Sequence, residues 1–126
     1  MKQLKIIKAY KALTKLGQQD LPIKLAFDLF KIKQALQPQW DFQLDEEKKM
    51  TDSAQVNADG SITFETQEAA AAFRQRLKEL SDIDVDLKVV KPVQIPISIP
   101  GLTLSMDDVD ALDCFVQFTT NQKGGN

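Results

Sequence analysis

The sequence predicts an α+β fold: an N-terminal helical hairpin with a long kinked second helix, a small antiparallel sheet with a proline-marked edge strand, and two further helices. Three observations carry this prediction. Apolar residues recur at helical spacing through residues 4–36 and again through 70–80. Between residues 83 and 99 the period drops to two, with Ile83, Val85, Leu87, Val89, Val93, Ile95, Ile97 and Ile99 all at odd positions. Pro92, Pro96 and Pro100 occupy even positions of the same stretch.

The elements follow in order. Leu4, Ile7, Tyr10, Leu13 and Leu16 sit at near-helical spacing with lysines between them, and Gly17 reads as the stop. Pro22 suits the first helical position, where its missing N–H would be unpaired. From there Leu25, Leu29, Ile32 and Leu36 form one continuous stripe, and Phe27 and Phe30 widen the apolar surface. Pro38 removes an interior hydrogen bond, so the long helix is expected to bend there, with Trp40, Leu44 and Met50 on the continuing piece. Trp40 reads either as a core plug at the bend or as an exposed anchor.

The period then changes. Ala54 and Val56 alternate, "NADG" supplies turn chemistry, and Ile62 and Phe64 alternate again, which predicts a short β-hairpin. Thr66 is placed to cap a helix with Glu68 in its first turn and Ala70, Phe73, Leu77 and Leu80 as its buried stripe. The strand over 83–99 follows, with a bend expected at Lys91 and Pro92. Its prolines are all even, so every deleted donor faces one lateral edge while the other keeps its ladder. A polyproline-like arm docking on another chain is the alternative, although a spacing of four does not match that helix's three-residue turn. Ser105 and Asp108 resemble a capping box, followed by a helical stripe of Val109, Leu112, Phe115 and Val116. Residues 1–118 read as one domain and the polar, glycine-rich residues 119–126 as a flexible tail.

Composition narrows the function classes. A chain of 126 residues, 43% hydrophobic and 27% charged, is ordinary for a soluble globular protein. One cysteine offers no internal disulfide, the lysine-studded N-terminal stretch does not resemble a signal peptide, and no apolar run would span a bilayer. A cytoplasmic protein is expected. Net charge is −2, but it is unevenly spread: residues 1–33 hold eight lysines against Asp20 and Asp28, while the remainder holds eight basic and sixteen acidic side chains. Such polarity can steer association or let copies stack head to tail, or it can simply keep a helix face solvated.

No histidine is present, which removes the commonest general base and the Ser-His and Cys-His nucleophile pairs. The glycines form no phosphate-binding loop. Asp82, Asp84 and Asp86 lack the glycine and closing glutamate of a calcium loop and read as a solvated face. Cys114 has no nearby cation in sequence and reads as a small core residue. No catalytic, cofactor-binding or metal-ligating residue is assigned, and an enzyme is not expected. Nucleic acid is not the expected partner either, because only Tyr10 interleaves the lysines and the isoelectric point is near 5.1.

The segments "LPIKLAFDLFKIKQAL" and "IPGLTLSMDDVDALDCFVQF" resemble a family of small uncharacterised proteins from tailed phages and prophages of Gram-positive bacteria. The matching positions are Leu21, Pro22 and Lys24, then Leu104, Ser105, Asp108, Val109 and Leu112. Pro38 and the three strand prolines depart from that pattern. The resemblance implies a non-enzymatic accessory protein acting by protein–protein contact in the host cytoplasm or on the virion, with virion assembly as its setting. An inhibitor that blocks a host protein, such as a defence nuclease, is the alternative. The expected partner surface comprises Lys2, Lys5, Lys8, Lys11, Trp40, Pro92, Pro96 and Pro100; a protein partner, a second copy included, is expected, without cofactor or membrane.

Overall fold

The computed structural model describes residues 1–52, 54–87 and 91–120. Helix α1 spans Gln3–Gly17 and α2 spans Ile23–Thr51, forming the expected helical hairpin. α1 buries Ile6, Ile7, Tyr10, Leu13 and Leu16, with Gln3, Ala9 and Ala12 widening the buried face. Leu4, assigned to that stripe from its spacing, is exposed, because Gln3 and Ile7 on either side take the inward positions. Gly17 ends the helix without left-handed backbone; the N–H groups of Gln18 and Gln19 instead return to the carbonyls of Lys15 and Leu16.

In α2 the stripe of Leu25, Leu29, Ile32 and Leu36 is buried as its spacing predicts. Pro22 caps the helix from just outside it, its carbonyl accepting from the Ala26 N–H. The helix runs on through Pro38 as one element of 29 residues. Proline still deletes the N–H that would reach the Gln34 carbonyl. α1 brackets that weakened turn: Tyr10 Oη donates to Gln37 Oε1 at 2.7 Å, and Gln3 Nε2 donates to the Gln39 carbonyl at 3.0 Å and to Gln43 Oε1 at 3.2 Å. The neighbouring helix thus splints the proline.

The hairpin pairs β1 (Gln55–Val56) antiparallel with β2 (Ile62–Thr63). Its turn places Gly60 at φ +88°, a conformation that glycine takes without steric cost, and Asp59 Oδ1 accepts from the Ser61 N–H and hydroxyl. Helix α3 (Gln67–Ser81) begins as expected, with Thr66 Oγ1 accepting from the Ala69 N–H. Its stripe is shallower than its pattern suggests. Leu80 is buried, but Ala70, Phe73 and Leu77 are half-buried, and Phe73 leans on Phe64 in the hairpin.

The expected long strand is the largest departure. Residues 83–87 make one isolated antiparallel bridge, Lys2 with Asp84, flanked by bonds from Gln3 N–H to the Ile83 carbonyl and from Val85 N–H to the Met1 carbonyl. Val85 and Leu87 pack on the core, Ile83 is exposed, and Val89 lies outside the described residues. Strand β3 is short, Val93–Pro96, and its partner is β4, Val116–Thr119, in parallel register with Val93 opposite Val116. The sheet is therefore not wholly antiparallel: it divides into an antiparallel and a parallel pair.

Helix α4 (Met106–Leu112) makes the crossover between β3 and β4, as a parallel connection requires. Ser105 and Asp108 cap it reciprocally, the Asp108 N–H on Ser105 Oγ and the Ser105 N–H on Asp108 Oδ2, both at 3.1 Å. Phe115 and Val116 do not extend this helix; Val116 opens β4, and Val109 is exposed. Thr119 also belongs to β4, so the C-terminal tail does not begin there, and residues 121–126 lie outside the described residues.

The prolines now divide. Val93 and Ile97 donate to the Phe115 and Thr119 carbonyls, so odd-numbered donors face β4 and the missing donors of Pro92 and Pro96 face the other edge, which no strand pairs among the described residues. Pro100 lies beyond the strand in a turn with Gly101, whose φ of +82° suits the position after a turn proline. Ile95, Phe115 and Val116 join the core beneath α1.

Candidate interaction surface

α1 is the central layer. Gln3 and Tyr10 reach α2, whereas Lys5 and Lys15, roughly opposite on the helix, reach α4. α2 and α4 consequently flank α1 on opposite sides, each with an outward face.

The lysines of α1 and of its N-cap are partly consumed by the fold. Lys2 pairs with Asp84 at 3.2 Å, Lys5 with Asp113 at 2.6 Å and Lys15 with Asp108 at 2.7 Å. The basic N-terminal segment thus meets acids from the rest of the chain. The carboxyls respond accordingly. Asp108 is held below its ordinary value by the Lys15 ammonium and by the Ser105 N–H, and Asp113 by the Lys5 ammonium; the Asp113 carboxylate in turn raises Lys5. Lys8 and Lys11 are exposed and form no ion pair among the described residues.

The expected partner residues are spread over several elements. Trp40 is half-buried on α2 against Tyr10 of α1, so it is a plug more than an anchor. Pro92, Pro96 and Pro100 are exposed on β3 and the turn beyond it. Cys114 is exposed, not a core residue as its small apolar character suggested. Partial burial of its sulfur and the neighbouring Asp113 carboxylate raise its pKa, which disfavours the thiolate. Asp82, Asp84 and Asp86 are exposed, and among the described residues no group of three or more acids and cysteines is placed to hold a metal.

The most pronounced feature lies on α2. Ile23, Phe27 and Phe30 follow one another at i, i+4 and i+7 and are 86%, 51% and 53% exposed. They form a second apolar stripe on the side of α2 opposite Leu25, Leu29, Ile32 and Leu36. Lys31 sets its ammonium 5.1 Å from the Phe27 ring centroid, and Lys24 lies beside it in an exposed pair with Asp28. Phe30 continues into a groove of about 290 Å³ between α2 and the end of α1, lined by Leu13, Leu16, Leu21 and Ala26 with Lys33 at its rim.

Compared with protein-family profiles, curated proteins and solved structures, the chain matches none. Among the described residues no helix is long and apolar enough to cross a membrane. The surface therefore has to be read from its own chemistry.

The outward face of α4 differs in character. Met106 is 89% exposed and Val109 is exposed beside it, while Asp107 and Asp110 form no ion pair among the described residues. The stripe on α2 was legible as spacing, since Ile23, Phe27 and Phe30 repeat at the helical period. The expectation that Phe27 and Phe30 would widen the buried surface is not met: with Ile23 they stand apart from the Leu25–Leu36 stripe on the exposed side of the helix.

Proposed function

We propose that this chain is a non-enzymatic accessory protein that works by protein–protein contact through the outward face of α2. The observation that carries the reading is the exposed stripe of Ile23, Phe27 and Phe30 bordered by lysines. A helix already buried on one face gains nothing in its own fold from a second apolar face, and contiguous apolar patches rimmed by charge are typical of binding surfaces. The shifted carboxyls and Lys5 support the same reading, because each serves a cap, a turn or an ion pair. The resemblance at Leu21, Pro22, Lys24 and the Ser105–Asp108 segment supports placing the protein among phage and prophage accessory proteins, with virion assembly as its setting.

A photoreactive phenylalanine analogue at position 27, crosslinked in the native cell, tests the reading. A covalent adduct with a protein, lost when the analogue is moved to exposed position 45 on the same helix, is expected. No protein adduct from position 27 would overturn it. An adduct with a host protein in place of a virion component would turn the setting from assembly to inhibition.

A further inference from the structure

We infer that the occupant of the α2 face is the outward face of α4 on a second copy of this chain, so that copies join head to tail. The inference rests on reading the α2 face as a docking surface and names its partner.

Three observations converge. The first is charge: Lys31 and Lys33 border the α2 stripe and point their ammonium groups at aromatic rings instead of at carboxylates, while Lys24 beside them pairs with Asp28. On α4, Asp108 and Asp113 are neutralised internally by Lys15 and Lys5, but the carboxylates of Asp107 and Asp110 form no salt bridge among the described residues, although Lys5 donates to the Asp110 carbonyl. A basic apolar face and an acidic apolar face thus stand on one molecule.

The second is shape. Met106 is almost fully exposed at the start of α4, with Val109 one turn on. A long, unbranched thioether adapts to irregular grooves and packs well against aromatic edges. The groove beside Phe30, walled by Leu13, Leu16 and Leu21, is of a size to admit one such side chain. With Met106 there, Val109 lies one turn along the stripe, and Asp107 and Asp110 come within reach of the bordering lysines.

The third is direction. Because α1 lies between α2 and α4, the two faces point away from each other and cannot meet within one chain. Different patches on opposite sides make a heterologous contact, which closes into a ring or continues as an open file. The patches are small, so each junction is weak and assembly depends on concentration.

Sedimentation of the full chain tests this with two variants, Phe30→Asp to block the α2 face and Met106→Lys to block the α4 face. Both positions are exposed, and unchanged circular dichroism confirms that each variant folds. The wild-type chain is expected to form species larger than a dimer as concentration rises into the millimolar range, weakening roughly threefold or more when salt is raised well above physiological strength. Each variant alone is expected to stay monomeric, and an equimolar mixture of the two to form a dimer and nothing larger, because one intact copy of each face remains. A wild-type chain that stays monomeric overturns the inference, as does a Met106→Lys variant that associates like wild type or a mixture that stays monomeric. A monomeric wild type that binds anionic vesicles through Phe30 also overturns it. If the crosslink at position 27 still captures another protein, the docking face stands and only its occupant is wrong.

Discussion

Tyr10 of α1 lies flat on Trp40 of α2, ring centroids 4.5 Å apart and planes 13° from parallel. The same tyrosine donates its hydroxyl hydrogen to Gln37 Oε1 at 2.7 Å, and Lys33 sets its ammonium 5.2 Å from the ring centroid. One side chain thus grips α2 on both sides of Pro38. This joint is where the hairpin compensates for a helix interior that proline weakens.

The joint can be dissected. Tyr10→Phe keeps the stack and loses the hydroxyl, so it should cost about 0.5–1.5 kcal/mol, the usual net value of one hydrogen bond. Tyr10→Ala loses the stack as well and should cost about 3–5 kcal/mol, in the range for emptying a large aromatic site. Urea unfolding followed by Trp40 fluorescence measures both. Equal losses for the two variants would mean that the stack contributes nothing.

A comparison between two apolar positions tests how the core is layered. Leu29 is buried between α1 and α2, so Leu29→Ala should cost about 2–5 kcal/mol. Phe73 is half-buried and contacts Phe64, so Phe73→Ala should cost less, of the order of an aromatic pair at about 0.5–1.5 kcal/mol plus a part of its burial. Denaturant midpoints at constant m-value give the order. The reverse order would place α3 and the hairpin in the main core.

Much of this layering was legible in the sequence. The stripe of Leu25, Leu29, Ile32 and Leu36, the caps at Thr66 and Ser105 and the turn at Gly60 are local signals, and local hydrogen bonding and helical period decide them. The end of the chain was not so decided. Leu112, Phe115 and Val116 fit helical spacing by coincidence, while Val116 and Phe118 also alternate, and the choice went to the strand because β3 is there to pair with it. Residues 83–87 show the converse: a sound alternation stays largely unpaired when residues 1–3 provide a single bridge. Gln3 could not be recognised as buried from its type. Its place in phase with Ile6, Ile7 and Tyr10 was the available signal, and its Nε2 bonds to Gln39 and Gln43 offset part of the cost of burial, while its Oε1 is buried without a partner among the described residues.

Acid should loosen the α1–α4 contact. The folded state holds Asp108 below its ordinary value of 3.8, first through the Lys15 ammonium, so the carboxylate form stabilises the fold. That contribution is complete above the ordinary carboxylate value and is lost as pH falls below it toward the depressed folded value. Lys15→Met should therefore flatten the decline of stability with acid in that window and leave the slope near neutrality unchanged. Thermal melts across the acid range measure this; identical acid limbs in the two proteins would refute the pair's role.

Pro96 guards the unpaired edge of β3. Pro96→Val restores a donor on the side away from β4 and raises β-propensity, while Ile97 keeps its bond to the Thr119 carbonyl. The variant should remain folded and associate more readily than wild type, in a manner that Met106→Lys does not suppress. Light scattering of the single and double variants checks it. An unchanged solution size would mean that the edge is closed by something other than its prolines.

The proposed junction joins the outward face of α2 on one copy to the outward face of α4 on the next. An amide chemical-shift dilution series reads both faces at once, in the unmodified chain. On dilution from high concentration, resonances of residues 23–34 and 106–113 should move together along one binding curve, while those of α3 and the β1–β2 hairpin stay fixed. Movement confined to α2, or centred on the hairpin or the β3 edge, would contradict the claim.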